Sequence, residues 1–281
     1  MKIIIKISLF LFCIHSLSSQ AQFRVMTFNI RMDTPSDGIN QWKNRKEHCA
    51  ELILFHQADI VGAQEAFIHQ IQDLKMNLED YQWIGKGRDD GKEEGEFSPL
   101  FYNQTKFELK EFDTFWLSET CEKVSFGWDA ACRRVVTWGH FIEKSTGKDF
   151  YAFNTHFDHQ GEVARRNSAS LIIDKIQEIA GDKPAILLGD FNATPDQEPI
   201  QIILNSGNPH HLIDAEMISK QGHYGPYSTF TGFVKEQDGR HIDYVFVKNG
   251  VEVLQHASHS EQWENRYPSD HFPVSALVEI P

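Results

Sequence analysis

The feature that most constrains this chain is a repeated one. Short apolar or alternating runs stop on a carboxylate, a carboxamide or an imidazole. The sharpest case is Ala185-Ile186-Leu187-Leu188-Gly189-Asp190-Phe191-Asn192. Four apolar residues entered through Lys183-Pro184 read as a short buried strand. Residues two apart in extended backbone share a side, so Asp190 and Asn192 face one way and Phe191 turns into the core. Taken alone, the same residues fit an Asx-turn that closes a strand. The question is whether other polar points converge on them. Residues 23–30 end on Asn29, with Arg31 on the same side. Residues 59–64 end at Glu65, and 150–154 run into His156, Asp158 and His159. His241 and Asp243 open the run to Val247, and Asp270-His271 precede the run 272–280. A lone Asn or Asp at such a place is an ordinary turn residue, and a lone His an ordinary hydrogen-bonded one. Asp243 is harder to dismiss, because its β-branched and aromatic neighbours predict burial, and a buried carboxylate needs a partner.

Between these runs the spacing predicts helices over 41–57, 67–78, 162–180 and 195–206, the last with Thr194 as N-cap and Pro195 at its first position. Further strands are expected over 81–85, 227–233 and 251–259. Residues 99–103 and 107–116 read as paired strands, and 134–143 with 150–154 as a hairpin across Ser145-Thr146-Gly147-Lys148. Residues 86–96, charged and Gly-rich, read as an exposed mobile loop. The stretches 118–132, 207–225 and 262–268 read as loop or irregular. Many strands broken by few helices, without strict alternation, imply an α+β sandwich with helices on the outer faces of packed sheets.

The first residues read as a secretory signal peptide. Lys2 and Lys6 precede the apolar residues 7–14, and Ser19-Gln20-Ala21 offers small residues for cleavage after Ala21. The apolar run is too short to span a bilayer and no second one follows, so a soluble exported chain, periplasmic or extracellular, is expected. Its 260 residues (281 less 21) carry no linker and no repeat, which favours one domain. A monomer is expected. The net charge of −13 becomes −15 without Lys2 and Lys6. Such a surface lacks the footprint of a polyanion binder, although a divalent ion would reverse the sign locally. Of the three remaining cysteines, Cys121 and Cys132 bracket one loop and are the plausible pair for a disulfide that export would permit, without the sequence deciding whether it forms, while Cys49 reads as a buried free thiol.

The chemistry that uses this mixture of residues is metal-assisted phosphoester hydrolysis. Oxygen ligands such as Glu65 suit Mg²⁺ or Mn²⁺. An Asp in contact with a His makes a general base, and Asn and His donors neutralise charge on phosphate oxygens. No His-Glu-x-x-His and no Gly-x-Ser-x-Gly is present. Six segments, Phe28-Asn29-Ile30-Arg31, Gln64-Glu65, Asn154-Thr155-His156, Gly189-Asp190-Phe191-Asn192, His241-Ile242-Asp243-Tyr244 and Ser269-Asp270-His271, together resemble the endonuclease/exonuclease/phosphatase superfamily, in that order and over essentially the whole chain after Ala21. Arg133-Arg134-Val135-Val136-Thr137-Trp138 and the Asn-Thr-His-x-Asp-His form are similar to its bacterial secreted branch. The resemblance implies a four-layer α/β sandwich, two packed and mostly antiparallel sheets flanked by helices, with the site at one end. It implies a metal at Asn29, Glu65 and Asp270. It implies catalytic roles for His156, Asp190, Asn192, Asp243 and His271, and weaker phosphate contacts from Arg31 and Arg133. It implies Asp158 and His159 as supporting residues. The implied activity is a Mg²⁺- or Mn²⁺-dependent phosphoesterase acting on a small or lipid-linked mono- or diester. A secreted nuclease on DNA or RNA, and a non-enzymatic module that keeps the fold, are the alternatives. Trp116, Trp128, Trp138 and Trp263 would serve a carbohydrate-binding role if exposed and the core if not.

Overall fold

The strand runs assemble into two mixed sheets. A computed structural model describes residues 20–234 and 239–281. The leader therefore lies, but for its last two residues, outside the described residues. The first sheet contains β1 (Ala21–Asn29), β2 (Ile60–Gln64), β3 (Tyr81–Ile84), β4 (Leu100–Asn103), β10 (His223–Tyr224), β12 (Glu252–Ser258) and β13 (Val274–Ile280), in the order β10-β12-β13-β1-β2-β4-β3. The second contains β5 (Phe107–Trp116), β6 (Val135–Glu143), β7 (Asp149–His156), β8 (Ala185–Asp190), β9 (Ile213–Asp214) and β11 (Asp243–Lys248), in the order β5-β6-β7-β8-β11-β9. Most pairings are antiparallel. β1 with β2, β7 with β8 and β10 with β12 are parallel.

The helices are α1 (Lys46–Phe55), α2 (Ile68–Asn77), α3 (Glu162–Ala180), α4 (Glu198–Leu204) and α5 (Ala215–Ile218). One core fills the space between the sheets, with Phe23, Val25, Phe150, Ile186, Leu188, Val245 and Val274 among its members. A second lies between α3, α4 and the outer face of the second sheet, and a third between α1, α2 and the outer face of the first. This gives four layers. β8 shows why its sequence is continuously apolar: Ile186 and Leu188 face the inter-sheet core while Ala185 and Leu187 face the helices, so both sides of the strand are buried.

The parallel register of β1 with β2 and of β7 with β8 brings Asn29 level with Gln64 and His156 level with Asp190. Antiparallel β11 sets Asp243 opposite Asp190. An amide network ties the two sheets at this end. Asn154 Nδ2 donates to Ala63 O (2.7 Å) and Pro99 O (2.8 Å), and its Oδ1 accepts from Gln64 Nε2 (2.7 Å). Gly62 permits the approach, since a Cβ there would lie 2.5 Å from Asn154 Oδ1.

Several local expectations are corrected. β4 and β5 are not partners: β4 pairs with β2 and β3, and β5 with β6, so the chain changes sheet between them. Residues 86–96 are not wholly exposed, because Arg88 and Glu96 form a bidentate pair at 2.8 Å and Glu96 is buried. The helix expected from Pro195 begins at Glu198, since Thr194 to Gln197 closes as a turn and Pro199 takes the first helical turn. Residues 227–233 form no strand beyond a single bridge between Phe230 and His271. Cys121 and Cys132 are unpaired thiols, with Cys121 buried against the second-sheet core; Cys49 is buried and free. Trp116 and Trp138 are core residues, whereas Trp128 and Trp263 are partly exposed.

Candidate active site

The polar groups named from the sequence meet where the strands of both sheets end. Asp190, the last residue of β8, is at the centre. Its Oδ2 accepts from Asn29 Nδ2 (3.0 Å) and lies 3.4 Å from His156 Nε2 and 3.8 Å from His271 Nε2. Its Oδ1 accepts from the Asn192 backbone N–H (2.9 Å). The Asn192 side chain donates to Phe157 O and meets His156 Nε2, both at 3.0 Å. Phe191 between them is fully buried. Asp190 and Asn192 therefore converge, but not by strand alternation. The strand stops at Asp190, and Asn192 reaches the site with φ of 46°.

The same device recurs at two neighbouring strand ends. Glu65, directly after β2, and Arg31, two residues after β1, both have φ of 59°. Left-handed backbone is uncommon for such residues, and it concentrates where the fold over-determines it. Here it turns three side chains back across the sheet ends.

Glu65 Oε1 accepts from Asn29 Nδ2 (3.1 Å) and its Oε2 from Met32 N–H (3.0 Å). Asn29 Oδ1 accepts from Arg31 N–H (3.0 Å). Arg31 is shared among Asp37 (3.0 Å), Glu65 (3.6 Å) and Asp270 (3.8 Å). Ser269 Oγ donates to Asn29 O (2.6 Å) and so fixes the turn that carries Asp270. Opposite, His271 Nδ1 lies 2.9 Å from Asp243 Oδ2, and Thr229 Oγ1 accepts from Asp243 N–H (3.1 Å).

The charge states follow from these neighbours. Burial, then the nearby Asp243 carboxylate, holds Asp190 well above the usual carboxylate range. Burial alone would lower His271, but the carboxylates of Asp243 and Asp190 outweigh it and raise its proton affinity. Burial drives His156 the other way, and the Arg134 and Arg88 guanidiniums add to that, so its imidazole is neutral. Burial also opposes ionisation of Glu65, yet the Met32 N–H, His271, Asn29 and Arg31 outweigh it and keep the carboxyl low. Asp270 is raised by burial, and Glu65 adds to the rise.

A divalent ion fits this set. Half-buried Glu65 and buried Asp270 are carboxylates that repel each other, and they share only part of one arginine. Hard oxygen donors of this kind suit Mg²⁺ or Mn²⁺. Asn29 spends both Nδ2 hydrogens on carboxylates, which leaves a lone pair on Oδ1 as its own offering. Asp190, Asp243 and His271 also bring donor atoms within 4.8 Å of one another. Both nitrogens of His271 are turned to those carboxylates, an arrangement that shares protons.

Sequence reasoning gave no role here to three arginines. Arg45 is buried and donates to Ile30 O (2.8 Å) and Pro268 O (2.7 Å), joining the loops that carry Arg31 and Asp270. Arg134, in its ion pair with Asp158 (3.3 Å), and Arg88 line a small cavity behind His156. Read locally, all three look like solvated surface charges, and only long-range contacts reveal them. Arg133 turns elsewhere, to Asp89 (3.1 Å) and over the Phe126 ring. Asp158 accepts from the Ala131, Cys132, Gln160 and Gly161 N–H groups, and His159 meets Arg134 at 3.0 Å; both support the loop behind His156.

Two packed mixed sheets flanked by helices, with acids, amides and imidazoles gathered at one end, make a deoxyribonuclease I-like phosphoesterase or nuclease fold. The chain belongs to the Endonuclease/Exonuclease/phosphatase family, whose model matches residues 26–271. It is 44% identical to an endonuclease/exonuclease/phosphatase from Bacteroides vulgatus of known structure, with a TM-score of 0.89 over 93% of this chain and 100% of that one. It is 37% identical to a mannosyl-6-phosphatase of Bacteroides thetaiotaomicron VPI-5482, with a TM-score of 0.85 over 91% and 99%. Nocturnin of Drosophila melanogaster is 25% identical over 283 residues, which cover 85% of this chain but 42% of nocturnin, so the chain spans less than half of that relative's length.

Proposed function

We propose that the protein is a divalent-metal-dependent phosphoesterase that acts on a small phosphomonoester, a sugar phosphate in particular. The observation that carries this reading is the convergence on Asp190 of Asn29, His156, Asn192 and the His271–Asp243 pair, beside the acidic pair Glu65 and Asp270. The similarity to a mannosyl-6-phosphatase supports the sugar monoester, and the net charge of −13 disfavours a polyanionic substrate.

Glu65 and Asp270, with Asn29 beside them, would hold Mg²⁺ or Mn²⁺. When bound, the ion supplies positive charge to the phosphate oxygens. Asp190 acts as the general base. Its raised proton affinity suits proton removal from an attacking water near neutral pH. His271, kept charged by Asp243, faces the charge that grows on the phosphoryl oxygens. Asn192 and neutral His156 orient the group opposite. Export by the N-terminal leader belongs to the same proposal, and N-terminal sequencing of the mature chain checks it.

The test compares mannose 6-phosphate, bis-p-nitrophenyl phosphate, plasmid DNA and RNA with Mg²⁺. The reading expects phosphate release from the monoester to dominate. Preferential diester or nucleic-acid cleavage would overturn the substrate class, and no turnover on any of the four would overturn the catalytic reading.

A further inference from the structure

At the β10–β12 edge of the first sheet a different donor set assembles. His256 on β12 and His223 on β10 are register partners, and their Nδ1 atoms face each other at 2.8 Å. A carboxylate oxygen of Glu216, from α5, lies with a nitrogen of each ring inside a common span of 4.8 Å. We propose that Glu216, His223 and His256 form a second metal site, for a borderline divalent ion such as Zn²⁺, that clips α5 and β10 to the edge of the sheet.

Four observations support it. The two Nδ1 atoms share a proton across 2.8 Å, with ring planes 43° apart, so an ion that displaces that proton lies near both lone pairs. Zn–N bonds of about 2.0–2.1 Å at tetrahedral angles set two nitrogens roughly 3.3 Å apart. The pair therefore needs to open by about half an ångström, and His223 sits on a two-residue strand at the edge of the sheet. The far nitrogen of His223 is 3.4 Å from Pro226 O. An N–H donated there fixes the tautomer that leaves Nδ1 as the ligand, the usual support of a metal-binding histidine. Buried His256 is kept neutral, its proton affinity pushed down to about 3 by burial and then by His223, so only the proton shared between the two Nδ1 atoms leaves when an ion binds. Finally, both histidines border an open cavity of about 760 Å³, which leaves room for a water ligand.

A second group, His56, His259 and Glu261, has similar donors but not this geometry. Its imidazoles overlap face on, with centroids 3.8 Å apart and planes tilted by 35°, so their nitrogens do not point at a common ion. Imidazole nitrogen with one carboxylate selects Zn²⁺, Co²⁺ or Ni²⁺ over Mg²⁺, which separates this site chemically from Glu65 and Asp270.

Zn²⁺ can also enter an oxygen site, so the test starts from a Glu65→Gln/Asp270→Asn double variant. Calorimetry should find one Zn²⁺ bound per chain in excess Mg²⁺, and adding His223→Gln should weaken that binding at least tenfold. Histidine ¹⁵N spectra of the double variant should show the His223 and His256 rings shifting on Zn²⁺ addition. These spectra read the site without disturbing it, whatever the folding of the triple variant. Absence of Zn²⁺ binding by the double variant, or binding that leaves both ring signals unmoved, overturns the proposal.

Discussion

His156 and His271 approach Asp190 from different sheets, at 3.4 and 3.8 Å, and both are buried. Behind His271 stands Asp243, 2.9 Å from its far nitrogen. Behind His156 stand Arg134 and Arg88, with its own Nδ1 buried and unpartnered. One imidazole is therefore charged and the other neutral, at the same carboxylate and with the same burial. Burial disfavours the proton on both rings; the carboxylates at His271 overturn that, while the guanidiniums behind His156 add to it. On the proposed reading, this asymmetry would give a phosphoryl group a charged donor on one side and a neutral partner on the other, with Asp190 as the base between them.

The comparison breaks most completely if its centre is removed. Asp190→Asn should lower kcat by about 10³-fold, the usual scale for loss of a positioned base, while far-UV circular dichroism stays unchanged. Asp243→Asn removes the anion behind His271. In the metal-free protein the His271 ring should then titrate lower than in wild type, as read by ¹⁵N spectra, and kcat should fall about 10²-fold. Arg134→Gln acts on the other side. It should raise the proton affinity of His156 and lower the rate by less than about tenfold, since the change removes one of two cations behind a group that is already neutral; an unmoved His156 titration would show that burial alone sets its state. The smallest effect concerns a neutral histidine outside the site. His259 is pushed down to about 3, by burial and then by His56. The unfolded chain binds a proton there below an ordinary affinity of about 6.5, and the folded chain does not until about pH 3. This contribution is complete above pH 6.5 and is lost as pH falls through that window. Urea unfolding at pH 7 and pH 5 should show a smaller acid loss for His259→Gln than for wild type.

The two histidines also mark what was legible in the sequence. Both stand in short patterns at strand ends, and a polar residue that stops an apolar run is visible locally. The same is true of Asn29, Glu65, Asp190 and Asp243, and of α3, whose 19 residues match the expected span. The groups behind them were not visible. Arg88 pairs with Glu96 inside a Gly-rich charged loop that reads as solvent-facing, and Arg134 is adjacent to Arg133, which points elsewhere. Local pattern also failed where a chain crosses between sheets. The strands β4 and β5 are close in sequence and both alternate, which is the signature of a hairpin; only the packing shows that they belong to different sheets. The sequence left the pairing of Cys121 with Cys132 open, and both are free thiols, because closeness along a loop does not set the geometry a disulfide needs.

The central claim is that the acidic pair and Asp190 together hydrolyse a phosphoester. The most direct measurement is phosphate release from mannose 6-phosphate by wild type and Glu65→Gln, each with Mg²⁺ and with EDTA. The account predicts turnover by wild type that Mg²⁺ restores after EDTA, and a Glu65→Gln rate at least about 10²-fold lower in Mg²⁺. Equal rates for the two proteins, or turnover indifferent to EDTA, would contradict it.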